Sequence, residues 1–197
     1  MYRSIAIKKM SKIKKLMIIA IAITMSAAVN AQVEWGQGGP QQGDMAVGAH
    51  FSHYMESGLS LSGVGAKFRY NIVDLIRLEG TFTYFFPKEL VNFMGLVSAE
   101  ASMLNFSVNA HRLFPLSDRF TLYSLVGLGI ANIRTRADVL GIRATNSESH
   151  LVVNLGGGAD IRITDNFGIN LEPRLMRIFA EDSGISIVLS AGVVYNF

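Results

Sequence analysis

Residues 184–197 read GISIVLSAGVVYNF. From Ile185 onward every second residue is apolar or aromatic (Ile185, Ile187, Leu189, Ala191, Val193, Tyr195, Phe197), whereas Ser186, Ser190, Gly192 and Asn196 dominate the other register. A period of two belongs to a strand whose faces meet different surroundings.

The same alternation recurs upstream over residues 45–54, 60–70, 75–86, 100–113, 120–133, 150–164 and 167–179. In the third of these, Ile76, Leu78, Phe82 and Tyr84 alternate with Arg77, Glu79, Thr81 and Thr83. From residue 44 onward no window carries the i, i+3, i+4, i+7 apolar spacing of a helix. Tight turns are expected after the second, fourth and sixth segments, with FPLSDR (114–119) as the fourth, by its Pro, Ser and Asp. The links over 87–97 and 134–149 are the longest, and the latter is expected to be mobile. Eight strands with these connections form an all-β, eight-stranded antiparallel up-and-down transmembrane β-barrel with both termini on one side. Pro173 falls inside the seventh strand, where it cannot donate to a ladder, and a bulge is expected there.

Lipid explains why the bulky register is read as uncharged. An Arg or Lys facing the bilayer midplane costs about 2–4 kcal/mol. Charged residues make up 17% of the chain, below the roughly 25% of soluble domains. Tyr70, Phe114, Phe120, Phe167, Tyr195 and Phe197 fall near one interface, and Phe51, Tyr84, Phe86 and Phe179 near the other. These are the two aromatic girdles of such a barrel.

The first residues fit export. Lys8, Lys9, Lys12, Lys14 and Lys15 precede an apolar run over 16–29 and the small-residue end Val29-Asn30-Ala31. This is a signal-peptide pattern, with cleavage after Ala31. Translation starting at Met10 would also yield a normal export signal. The expected division is a signal peptide over 1–31, an extended lead-in over 32–43 and the barrel over 44–197. Cleavage removes Arg3 and five lysines and no acid, leaving twelve basic against fifteen acidic residues, a net charge of −3. A nucleic-acid partner loses its support. The chain has no cysteine, hence no lipoprotein acylation site and no disulfide.

The segments YSLVGLGI (123–130), NLGGGADIRIT (154–164), NLEPRL (170–175) and AGVVYNF (191–197) give residues 43–197 a resemblance to a known family. The chain resembles the small outer-membrane β-barrels of Gram-negative bacteria, the OmpA/OmpX-like or porin-family proteins. That resemblance implies a place in the cell outer membrane among lipid and lipopolysaccharide. It also implies that the aromatic end of the last strand, Tyr195 and Phe197, is the address read by the outer-membrane assembly machinery.

The polar register concentrates charge: Lys67, Arg69, Arg77, Glu79, Asp160, Arg162, Glu172 and Arg174 all fall in the half of the lumen nearest the termini. An eight-stranded barrel is just wide enough to be filled by its own side chains. These eight residues are expected to form an ion-pair network that plugs it. Arg134, Arg136 and Arg143 lie in the long 134–149 link, where guanidinium groups can pair with lipopolysaccharide phosphates. His50-Phe51-Ser52 resembles the His-x-Ser of a lipid A deacylase but lacks an orienting carboxylate. His50, His53, His111 and His150 lack metal-ligand spacing. No catalytic residue, cofactor or metal is assigned.

The expected function is that of a monomeric, non-enzymatic integral outer-membrane barrel with a filled lumen and a structural or loop-mediated surface-binding role. A narrow passive pore is the alternative, with a lipid A-modifying enzyme behind it. N-terminal sequencing of the exported protein should return Gln32; Met1 or Met10 would show that the leader is retained.

Overall fold

The computed structural model describes residues 40–56, 58–93, 97–139, 142–180 and 184–197. The expected signal peptide and the lead-in up to residue 39 lie outside the described residues.

The described chain forms eight strands: β1 (Met45–Glu56), β2 (Leu59–Val73), β3 (Ile76–Phe93), β4 (Val97–Ser117), β5 (Phe120–Val139), β6 (Ile142–Arg162), β7 (Phe167–Ile178) and β8 (Ile185–Asn196). Each pairs antiparallel with its sequence neighbour, and β1 pairs with β8 from Ala46↔Asn196 to Met55↔Ile187, closing the ring. The outward register is apolar and exposed, with Phe51, Phe68, Phe82, Phe106 and Leu128 among its members. The inward register is buried.

The sequence reading needs correction in four places. First, the links over 87–97 and 134–149 are paired strand. The β3–β4 ladder runs to Phe93↔Val97 and the β5–β6 ladder to Val139↔Ile142, each with the two arms satisfying one another's backbone. On β4, β5 and β6 the outward register changes from Leu104, Ile130 and Leu151 to Ser102, Asn132 and Ser149 in one step. Above that line the outward face is polar while the inward face stays small or apolar on β4 and β5 (Ala99, Ala101, Ala131, Ile133, Ala137), so the bulky outward register that marks a lipid-facing strand ends while the strands continue. Likewise β4 runs through Pro115 to Ser117, so only Asp118 and Arg119 of FPLSDR form the turn.

Second, Pro173 makes no bulge. The β7–β8 register passes unbroken through Pro173↔Leu189. The β6–β7 ladder instead skips two residues between Gly156↔Arg174 and Ala159↔Leu171 without changing register. The missing donor costs a gap and not a shift.

Third, the outward register does carry charge, at its two ends. Arg112 lies 5.9 Å from the Phe114 ring near the termini, and Arg177 lies 5.8 Å from the Phe179 ring near the other mouth. Each covers a girdle aromatic where a long cationic side chain can reach water.

Fourth, the inward register is not polar throughout. On β3 it runs Arg77, Glu79, Thr81, Thr83, Phe85, and on β4, in the opposite direction, His111, Asn109, Ser107, Asn105, Met103. The lumen is layered: charged near the termini, neutral and polar at mid-height, apolar toward the hairpin mouth. In the apolar layer Tyr54, Leu61, Phe85 and Met103 of β1–β4 meet Ala131, Val152, Met176, Ile178 and Val188 of β5–β8 in one buried cluster. Every strand contributes. The Tyr54 and Phe85 rings meet edge-on at 5.9 Å.

Glycine makes room for the larger inward side chains. Gly65 and Gly192 flank His50 on the two neighbouring strands, and a Cβ on Gly65 would collide with the Phe82 carbonyl oxygen and stand 2.5 Å from His50 Nε2. Gly127 likewise faces Asn109, and Gly158 faces Tyr123. Gly65→Ala should lower the unfolding free energy of the refolded barrel by about 1–3 kcal/mol, read from the urea midpoint. An unchanged midpoint would show that the lumen is not tightly packed at His50.

Candidate functional site

The charged layer is built by inward positions of β2, β3, β4, β5, β6 and β7. Arg69 Nε donates to Glu79 Oε2 at 2.6 Å across the β2–β3 pair, and Arg69 Nη1 donates to Asp160 Oδ1 at 3.0 Å. Arg77 Nη1 takes the other oxygen of Asp160 at 2.8 Å. Lys67 Nζ lies 3.6 Å from Glu79 and 3.8 Å from Glu172, and donates to Asn170 Oδ1 at 2.7 Å. Glu172 also accepts from the Tyr123 hydroxyl at 2.8 Å and has Arg174 Nη1 at 3.7 Å. Asn170 Nδ2 closes the web by donating to Tyr123 Oη and Asp160 Oδ1.

The structure thus brings seven of the eight expected residues together. Four cations (Lys67, Arg69, Arg77, Arg174) face three carboxylates (Glu79, Asp160, Glu172). The eighth, Arg162, shares the inward register of β6 but is half-buried at the termini mouth, and among the described residues it makes no ion pair. Sequence reasoning missed Asn170, Tyr123 and His111, all buried. Their inward register was the available signal, because it places them at the height of the charges. The imidazole of His111 stacks on the Tyr123 ring at 4.6 Å with a 6° interplanar angle, and the Arg77 guanidinium lies 5.0 Å from the same ring.

Glu79, His111 and Glu172 have ligand atoms within 4.8 Å of one another, close enough to suggest a metal site. The hydrogen bonds argue against it. His111 Nδ1 accepts from Arg77 Nε and Nη2 at 3.3 and 3.1 Å, which fixes the tautomer with the proton on Nε2. Nε2 faces Glu79 Oε1 at 3.7 Å and has no lone pair to offer. Lys67 and Arg69 already supply cations to the same carboxylates.

His50 and Ser52 are each bonded to a residue of another strand and not to one another. His50 Nε2 bonds Thr83 Oγ1 at 3.0 Å and Ser52 Oγ bonds Ser190 Oγ at 2.7 Å, all in the mid-height polar layer and sealed from lipid. At the hairpin mouth of the β1–β8 seam, Glu56 accepts from the Gly184 backbone N–H at 2.6 Å, from Ser186 Oγ at 3.0 Å and from the Tyr54 hydroxyl.

Arg134, Arg136 and Arg143 stand on one face of the β5–β6 hairpin, beyond the apolar band. Arg136 lies opposite Glu100 in the β4–β5 register, and Arg143 Nε donates to Asp138 at 3.0 Å. At the other end Tyr195 meets Phe167 at 5.0 Å and Phe197 at 5.3 Å, both edge-on, and Phe197 is 71% exposed.

Residues 18–197 match the family model of the outer membrane protein β-barrel domain. Among solved structures, the attachment invasion locus protein Ail of Yersinia pestis is similar at 20% identity and a TM-score of 0.55, over 80% of this chain and 100% of that one. The N-terminal β-barrel domain of Pseudomonas aeruginosa OprF is similar at 17% identity and 0.53, over 79% and 98%. A major outer membrane protein from Thermus thermophilus is similar at 12% identity and 0.62, over 80% and 100%. No curated protein matches the chain.

Removing one partner of a buried ion pair leaves the other uncompensated, at about 3–5 kcal/mol. Glu79→Gln, which deprives Arg69 and Lys67, should therefore lower the urea midpoint of the refolded barrel sharply. Asp138→Asn, which releases the exposed Arg143, should leave it within error. Equal effects would refute a stabilising network.

Proposed function

The chain belongs to the outer membrane protein β-barrel domain family and lies in the cell outer membrane; from that premise we propose that it acts there as a closed, non-enzymatic barrel that stabilises the envelope and presents its β3–β4 and β5–β6 hairpins outside the cell. The observation that carries this reading is the apolar layer. Nine buried side chains, drawn from all eight strands, fill the hairpin end of the lumen, and the one hydroxyl among them, that of Tyr54, is engaged with Ser186 and Glu56 at the β1–β8 seam. A passage would have to displace that layer as well as the charged one beneath it.

In this reading both termini face the periplasm. Arg134 and Arg136 sit just beyond the lipid boundary, where they can meet lipopolysaccharide phosphates. Tyr195 and Phe197, outward on the last strand, are what the assembly machinery would recognise. The protein works as a monomer, since β1 closes on β8 and no sheet edge remains within the apolar band to recruit a second copy. Buried Ser52 has no base, which disfavours lipid A chemistry.

Planar-bilayer recordings of the refolded protein should show no stable conductance step. A sustained large conductance would replace the closed reading by the pore.

A further inference from the structure

The charged layer is reached from the termini mouth through a cavity of about 260 Å³. It is a dead end, because the charged and apolar layers close it above. Its charge is arranged in two zones. At the inner end are buried Arg69 and Arg77, which share Asp160 as a common partner and use both of its oxygens, with half-buried Arg162 on the wall. Among the lining residues three cations there face one carboxylate, Arg69 being held from behind by Glu79 as well. At the outer rim exposed Asp44, Asp118 and Asp165 outnumber exposed Arg119.

The whole charged layer carries the same imbalance, four cations to three carboxylates before Arg162 is counted. An unmatched charge in a wall shielded from water is costly and draws a counter-ion. A simple anion would satisfy the inner end but would have to pass and remain beside an acidic rim. A molecule with a carboxylate at one end and an ammonium at the other satisfies both zones together. The volume lies just under the roughly 300–1,000 Å³ of drug-sized pockets, which limits the ligand to the size of an amino acid or dipeptide.

We infer that this vestibule binds a small periplasmic zwitterion, an amino acid or short peptide, with its carboxylate toward Arg162, Arg77 and Arg69 and its ammonium toward Asp118 and Asp165. Arg162 at the mouth and Arg69 Nη2, which is buried without a hydrogen-bond partner, are the donors left to the site, because Arg69 Nε and Nη1 and Arg77 Nη1 are already committed to Glu79 and Asp160. Resting on the orientation proposed above, the site faces the periplasm alone, so it holds its ligand and does not pass it on.

The mature protein, refolded in detergent micelles, can be titrated with alanyl-alanine while the amide resonances of Gly168 and Asn196 at the mouth are followed by NMR. N-acetylated and C-amidated alanyl-alanine, acetate and phosphate serve as comparison ligands. Saturable shifts with alanyl-alanine are expected, with binding weaker by about tenfold or more when either terminus is blocked, the size of one lost charge-assisted hydrogen bond. Arg162→Gln and Asp118→Asn, neither of which belongs to the network, should each weaken binding similarly while heat-modifiable gel migration confirms a folded barrel. The inference is overturned if alanyl-alanine causes no saturable shift, if blocked peptides, acetate or phosphate bind equally well, or if both folded variants bind like the wild type.

Discussion

Lipid offers a peptide group no hydrogen-bond partner, and the closure of β1 on β8 answers that constraint. Within the apolar band the strands are paired on both sides, save for the two-residue gap in the β6–β7 ladder at Pro173. Beyond it the requirement lapses, and the structure changes at once. β3 loses its β2 partner past Phe85, and β6 loses its β7 partner below residue 152, yet both strands run on, each paired on one side only. Residues 142–150, IRATNSESH, are almost wholly polar because their free edge is in water. The height at which two-sided pairing stops coincides with the step from Leu104, Ile130 and Leu151 to Ser102, Asn132 and Ser149. Backbone pairing and side-chain polarity mark one boundary by independent routes.

Closing eight strands fixes a narrow lumen, and the inward side chains then have to fit one another. Fit is achieved by opposing sizes: His50 between Gly65 and Gly192, Asn109 against Gly127, Tyr123 against Gly158. Gly158 of LGGGAD therefore belongs to the packing of Tyr123, whose hydroxyl reaches over it to Glu172, and Gly156 makes room for Arg174. Tyr123 joins the aromatic stack with His111 to the carboxylates, so a ring and an ion pair at opposite sides of the lumen become parts of one network.

Strand number, order, facing and the position of the charged half were legible because each rests on alternation, and alternation is strong wherever lipid lies on one side. The hairpins past Ser102 and Asn132 were not, since the bulky outward register that marks a strand against lipid stops there and only small inward residues such as Ala99, Ala101 and Ala137 keep the alternation. The apolar layer was missed for the opposite reason. Phe85, Met103 and Val152 stand in a register that is polar lower down, and only the closed ring brings them together. The membership of Arg69, Glu79 and Asp160 in one cluster followed from register and height, but the exclusion of Arg162 did not. That depends on Asp160 being fully occupied by two other arginines, a matter of a few ångströms that no spacing encodes.

The two kinds of lumen filling solve different problems. A strand apolar in both registers could slip by one residue and lose nothing by facing its other side to lipid. Lys67, Arg69, Arg77, Glu79, Asp160, Glu172 and Arg174 forbid that, because a one-residue slip would turn two of these charges toward the bilayer in β2, β3 or β7 and one in β6, at about 2–4 kcal/mol for an Arg or Lys near its middle. The network is thus as much a device of register as of cohesion, whatever its net energy against an apolar core. Toward the hairpin mouth register is already set, and Phe85, Met103, Met176 and Val188 can fill the space with apolar volume, which needs no partners and excludes water. Charge low in the barrel fixes which way each strand faces; apolar bulk above it shuts the lumen.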